Sequence, residues 1–131
     1  MESTIILDTD VLIDLLREKT ETLNWIKEHE IADILATTTI NVFEIFNEAY
    51  KCADSDKKLT LVESLIERLK ILDFDSNSAK ISGKQRALLE DQGLTLDVRD
   101  IFIGSIALSN NILLKTNNKK HFSRISKLRL V

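Results

Sequence analysis

The stretch "IILDTDVLIDLL", Ile5 to Leu16, decides how the rest of the chain is read. An apolar run breaks at Asp8, Thr9 and Asp10 and then turns apolar again. Thr4 to Leu7 reads as a short buried strand, and Thr9 to about Arg17 as the helix that follows it. The same alternation continues outward. Helices are expected at Glu21–Glu30, Asn41–Cys52, Lys57–Lys70, Asp75–Asp91 and Val98–Asn110. The Asp75 helix is capped at its start and stops before Gly93. Strands are expected at Ile34–Thr39, Ile71–Phe74 and Ile112–Thr116, with "LRLV", Leu128 to Val131, closing the chain as another. Short apolar strands separated by helices imply an α/β fold of three layers, α/β/α, around a mainly parallel sheet covered on both faces. In such sheets ligands bind outside the carboxyl ends of the strands.

Composition narrows the possibilities. A chain of 131 residues with 44% hydrophobic and 30% charged residues fits one globular domain, residues 1–131. No linker composition, repeat or low-complexity segment divides it. No apolar run approaches the roughly 20 residues that span a bilayer, and the N-terminus has no signal-peptide pattern, so the expected location is cytoplasmic with no membrane partner. Cys52 is the only cysteine, which excludes an internal disulfide and a thiolate zinc site. The net charge is -3, yet the basic residues Lys115, Lys119, Lys120, Arg124, Lys127 and Arg129 crowd a C-terminal stretch with no acid in it. A basic tail beside an acidic body can attract phosphates; a solvated surface is the simpler account.

Three carboxylates do not read as surface. Asp8 stands at the carboxyl end of a strand, where it either caps the next helix or belongs to a site. Asp100 lies on a helix apolar nearly all the way round, with Ile103, Gly104 and Ala107 on its own face. Buried there, it has to be paired, neutralised or bound to a metal. The simpler account is an acidic capping box, with Asp97 as N-cap and Asp100 three residues on, but a dipole contact contributes only about 0.3–1 kcal/mol. Glu44 lies opposite Val42, Ile45, Phe46 and Ala49. "NVFE" also reads as a capping box headed by Asn41. All three acids follow a strand or open a helix, so a doubly wound sheet gathers them along one edge. Ionised together they repel unless a cation sits between them, and an all-oxygen donor set suits Mg²⁺ or Mn²⁺. Such an ion can activate a bound water against a phosphodiester. Glycine-rich phosphate loops are absent from the sequence, and His29, His121 and Cys52 read as ordinary side chains.

These blocks resemble a PIN domain, in particular a VapC-type toxin of a toxin–antitoxin pair. The opening strand with its Asp-Thr and Val-Leu-Ile is matched by "IILDTDVLID". An apolar-flanked glutamate opening a helix is matched at Glu44 in "TTTINVFEIFNEA". An aspartate heading a helix is matched by "DIFIGSIA", with Asp100, Ile103, Gly104, Ser105 and Ala107. A strand ending in T-x-N with Phe beyond it is matched by "ILLKTNNKKHF", with Thr116, Asn118 and Phe122. The blocks come in order and span residues 5 to 122. The resemblance implies a metal-dependent endoribonuclease with Asp8, Glu44 and Asp100 as catalytic Mg²⁺ or Mn²⁺ ligands. Thr9 would help position the site through its hydroxyl. The fourth acidic position falls on Asn118, an amide. Asp97 is a substitute acid or simply an N-cap, and Asp10 is a supporting polar group. Lys119, Lys120 and Arg124 would meet the RNA backbone. The family also implies a small antitoxin partner and, commonly, a homodimer.

Two other readings compete. A PIN-like module could act by binding RNA or a partner without cleaving. The "DTD" is also similar to the start of haloacid-dehalogenase-type phosphatases, with Asp8 as nucleophile. Leu12 stands where that family has Thr or Val, and no paired acids follow the strand at Leu113.

Overall fold

The computed structural model describes residues 2–131. Its elements run β1 (Thr4–Leu7), α1 (Thr9–Leu16), α2 (Thr20–His29), β2 (Ile34–Thr38), α3 (Thr39–Lys51), α4 (Ser55–Glu67), β3 (Lys70–Leu72), α5 (Ser76–Asp91), α6 (Val98–Asn110), β4 (Leu113–Lys115) and α7 (Lys119–Phe122). The four strands form a parallel sheet in the order β3-β2-β1-β4. The expected α/β class and parallel sheet are therefore what the chain adopts.

Burial explains the sheet. Along β1 the side chains alternate between two cores. Ile5 and Leu7 pack with Val11, Leu12, Ile26, Ile45, Ala49 and Val62 on the face covered by α1 to α4. Ile6 points the other way, to Ile103, Ile106, Ala107, Leu114, Phe122 and Ile125. A strand apolar on both faces belongs at the centre of a sheet, and that is where β1 lies. α6 buries Ile101, Ile103, Gly104, Ser105, Ile106 and Ala107, as expected of a helix apolar nearly all round. A Cβ on Gly104 would run into the Ile125 side chain, so this glycine lets the C-terminal segment approach the helix closely. α5 packs on α6 and buries Ser78, Ser82, Gln85 and Leu89, with Gln85 bonded in both directions to the backbone of Ser126. Its limits, Ser76–Asp91, with Gly93 at φ 70, agree with the capping pattern.

Two expectations need correction. The closing strand at Leu128–Val131 shrinks to a single parallel bridge between Leu114 and Leu130. Lys127, at φ 68, turns the backbone directly before this segment, and only Leu114 exchanges backbone bonds with it, donating to the Arg129 carbonyl and accepting from the Val131 amide. The capping box of α3 begins three residues earlier than "NVFE" suggests. Thr38 is the N-cap, and Asn41 occupies the third helical position and bonds back to it. Glu44 is released from capping and points elsewhere.

The order of the strands decides where the site lies. From β1 the chain winds outward through β2 to β3, then crosses back to lay β4 on the other side of β1. The strand order reverses between β1 and β4, which opens a crevice at their carboxyl ends. Asp8 and Thr116 stand at those two ends.

Candidate active site at the carboxyl edge of the sheet

Asp8 is 7% exposed and held by three donors. Its Oδ1 accepts from the Thr9 amide at 2.9 Å and from Asn41 Nδ2 at 3.1 Å. Its Oδ2 accepts from the Thr116 hydroxyl at 2.7 Å, across the crevice. Asp8 caps α1, as one of the two sequence accounts has it, and it also sits at the switch point between β1 and β4. Burial pushes its carboxyl above the ordinary value, and the bonds from Thr116, Thr9 and Asn41 oppose that shift.

Thr9 and Asn41 link Asp8 to Glu44. The Thr9 hydroxyl donates to Glu44 Oε1 at 2.8 Å and accepts from Asn41 Nδ2 at 2.9 Å. Asn41 is fully buried, and its Oδ1 accepts from the Thr38 hydroxyl at 2.7 Å and the Thr38 amide at 3.3 Å. One amide thus joins the start of α1 to the start of α3. The sequence marked Asn41 only as a cap; its second role was invisible because it depends on β1 and β2 being neighbours. Replacing Asn41 with Leu should destabilise the protein by about 2–4 kcal/mol, because buried groups of Thr38 and Asp8 lose partners. A urea midpoint within error of wild type would contradict this network.

Asp100 stands in the first turn of α6. Among the described residues no hydrogen bond reaches its carboxyl. Partial burial, and then the charges of Asp8, Asp97 and Glu44, push it up to about 7, with Arg99 opposing them. The mutual repulsion shows that Asp8, Glu44 and Asp100 share one electrostatic neighbourhood. Burial raises Glu44 too; the Thr9 bond opposes the rise and the Asp8 charge adds to it. Glu44 also faces Arg99, 3.5 Å from Nη1 to Oε2.

The supporting residues divide. Asp10 Oδ2 accepts from the Asn117 amide at 3.1 Å, and Asn117 Nδ2 donates to Asp14 at 2.9 Å, so α1 pins the loop after β4. Asp10 Oδ1 is buried without a partner, and burial with the Asp8 charge raises this carboxyl to about 6. Asn118 turns its side chain to His121, 2.8 Å away, while its amide donates to Thr116. Asp97 caps α6 and holds Arg99 through both carboxylate oxygens. Lys119 and Lys120 are exposed in α7, whereas Arg124 donates to the Thr95 carbonyl at 2.9 Å.

The donor set is all oxygen, which suits a hard divalent ion. The bare side chains do not close into a cage, because no three His, Cys, Asp or Glu groups cluster at cation-binding spacing among the described residues. Glu44 is engaged by Thr9 and Arg99. The groups fit an ion held through one or two carboxylates with water completing its shell, the habit of Mg²⁺, and Asp100 is the carboxylate left without a protein partner.

Comparison with known proteins agrees with this architecture. The PIN domain matches residues 5–128, and the chain belongs to the PIN domain family. Its relatives place it with the VapC-type members. It is 29% identical over 124 residues to Ribonuclease VapC2 of Haemophilus influenzae, spanning 94% of this chain and 92% of that one. It is likewise 29% identical over 124 residues to the tRNA(fMet)-specific endonuclease VapC of Salmonella typhimurium, covering 95% and 93%. A solved structure of VapBC2 from Rickettsia felis bound to a promoter DNA fragment superposes with a TM-score of 0.92 at 26% identity, over 98% of this chain and 97% of that one. DNA-bound VapBC from Salmonella typhimurium gives 0.88 at 26% identity, over 100% and 98%. Membership in this family sets aside the phosphatase reading. Among the described residues no helix is long and apolar enough to cross a membrane.

Proposed function

We propose that this protein is the toxin of a toxin–antitoxin pair, a single-domain endoribonuclease that depends on Mg²⁺ or Mn²⁺. The observation that carries the reading is Asp8, fixed by three donors at the β1–β4 crevice and electrostatically coupled to Asp100 and Glu44. Asp8 and Asp100 would hold the ion, with Glu44 beside them. Once bound, it would polarise a phosphodiester and lower the pKa of water. The remaining work falls to the chain itself. Thr9, Asn41 and Thr116 keep Asp8 in one orientation. Asp100, raised to about 7 by burial and by the charges of Asp8, Asp97 and Glu44, carries no protein hydrogen bond, so its carboxyl oxygens are free to take the ion, whose charge would hold the group ionised. Lys119 and Lys120 would meet the RNA backbone.

A relative is named for cleaving tRNA(fMet), so tRNA is the first substrate to test. Wild-type protein stripped of metal should leave tRNA intact and cleave it when Mg²⁺ or Mn²⁺ is restored. Binding without cleavage in either metal would instead make the protein a non-catalytic RNA-binding module.

The antitoxin reading has its own surface. A groove of about 570 Å³ runs between α1, α2 and α4, walled by Leu15, Leu16, Leu23, Leu61 and Leu65. Its rim carries Glu18, Glu30 and Arg68. Its shape and lining suit the apolar face of an amphipathic helix, and the VapBC structures from Rickettsia felis and Salmonella typhimurium that superpose on this chain support a VapB-like partner for it. Leu61 is 45% exposed, so Leu61→Arg should cost little stability while weakening antitoxin binding at least about tenfold by titration calorimetry. Unchanged affinity would move the partner off this groove. A homodimer belongs to the same proposal, with the exposed Phe43 and Tyr50 face of α3 available to a second copy.

A further inference from the structure

An acid-lined crevice repels the polyanion it is proposed to cut. Beyond the exposed lysines of α7, Arg99 supplies a cation directly at its acids. The guanidinium lies in the first turn of α6, directly before Asp100. Asp97 grips it as a fork, with Nε donating to Oδ1 at 3.2 Å and Nη2 to Oδ2 at 3.1 Å. Asp97 also accepts the Arg99 backbone amide at 2.9 Å, so the same carboxylate caps the helix and aims the side chain. The third nitrogen, Nη1, is drawn to 3.5 Å from Glu44 Oε2 but makes no hydrogen bond there. The side chain is 47% exposed.

An exposed ion pair of this kind contributes only about 0–1 kcal/mol to stability. The arrangement does more to orient a charge than to hold the fold. A guanidinium gripped on one edge keeps donors on the other, and the fork geometry of arginine suits phosphate oxygens. Its guanidinium lies 3.5 Å from Glu44 and adjoins Asp100 in the first turn of α6, so a phosphate brought to those acids would come within its reach.

We propose that Arg99 is a phosphate-binding residue of the RNA site, held ready by Asp97 and resting against Glu44 until substrate replaces that contact. The inference rests on the ribonuclease reading above. It assigns the contact to a residue outside the basic C-terminal stretch.

Binding and turnover test it together. In an Asp100→Asn background, chosen so that RNA stays intact, a short fluorescein-labelled single-stranded RNA is titrated by anisotropy at several salt concentrations with Mg²⁺ present. Adding Arg99→Gln should weaken binding about tenfold and flatten the slope of log K against log salt by about 0.7, the loss of one phosphate contact. Arg99→Lys should restore the slope, because it keeps the charge. In the otherwise wild-type protein, Arg99→Gln should raise KM about tenfold and change kcat less than about threefold. An unchanged slope and KM, in a wild-type background that cleaves RNA, overturns this inference alone. A slope change that Arg99→Lys does not restore, with a lowered melting temperature, is a structural effect and also overturns it. Wild-type protein that neither binds nor cleaves RNA overturns the ribonuclease reading and this inference together.

Discussion

Replacing Asp8 or Asp100 by Asn is expected to reduce metal-dependent RNA cleavage by about 10³-fold or more while the protein still folds. Loss of a principal electrostatic group in an active site has effects on this scale. Asn is close in shape to Asp, and the surroundings tolerate it. At position 8 one oxygen can still accept from the Thr9 amide and Asn41. The new amide can donate to the Thr116 hydroxyl, which rotates away from its present bond. At position 100 no protein hydrogen bond is lost. The activity loss is therefore chemical rather than structural. Gel-resolved cleavage of tRNA, with circular dichroism on the same samples, separates the two. Wild-type cleavage by the Asp100→Asn protein would show that the site is assigned wrongly.

The same substitution at Asp100 is expected to stabilise the metal-free protein at pH 8. The sign follows from linkage. The folded-state pKa of Asp100 is raised from 3.8 to about 7, and that of Asp10 from 3.8 to about 6. Between the unfolded and folded values the native state binds more protons than the unfolded chain, so stability falls as pH rises through that window. Below about pH 4 these acids are protonated in both states and the penalty is absent. At pH 8 it is fully present. After discounting for the solvent that reaches a half-buried carboxyl, Asp100→Asn should gain about 1–2 kcal/mol at pH 8. That is roughly 3–8 °C in melting temperature for a chain of this size. A gain equally large at pH 4 would mean that packing, not charge, was relieved. Adding Mg²⁺ at pH 8 should raise the melting temperature of wild type and leave Asp8→Asn nearly unmoved, which reads the ion without reading catalysis.

These two expectations describe one trade. The carboxylates crowd together at a cost to the fold. Groups that repel each other in this way would favour the proposed cation between them.

Much of the scaffold was legible in the chain because it rests on local rules. Strand β1 and helix α1 follow from the apolar run and the Asp8 cap, and α5 from Asp75 and Gly93. The all-round apolar pattern of Val98–Asn110 marked α6 as buried and Asp100 as an anomaly on it. Errors arose where local rules compete. Thr38 and Asn41 both cap well, and the strand's pairing decided in favour of Thr38 by fixing where extended backbone ends. The "LRLV" segment has strand composition, but it meets β4 only at Leu114, directly after the left-handed turn at Lys127.

The site itself was only half legible. Asp8, Glu44 and Asp100 stand out as acids in apolar company, but no local pattern says which groups hold them. Thr116 is 108 residues from Asp8, and Asn41 is 33. Arg99 adjoins Asp100 in sequence, yet its contact with Glu44 appears only when α3 and α6 open side by side. Sequence alone determined most of the elements, the parallel sheet and the acids at odds with their surroundings, because periodicity, capping and desolvation act over a few residues; it missed α7 and overextended the closing strand. The tertiary structure decided which donors fix Asp8, that Glu44 is already engaged, and where the Arg99 guanidinium lies. Those depend on the strand order β3-β2-β1-β4, and strand order is set by packing across the whole sheet.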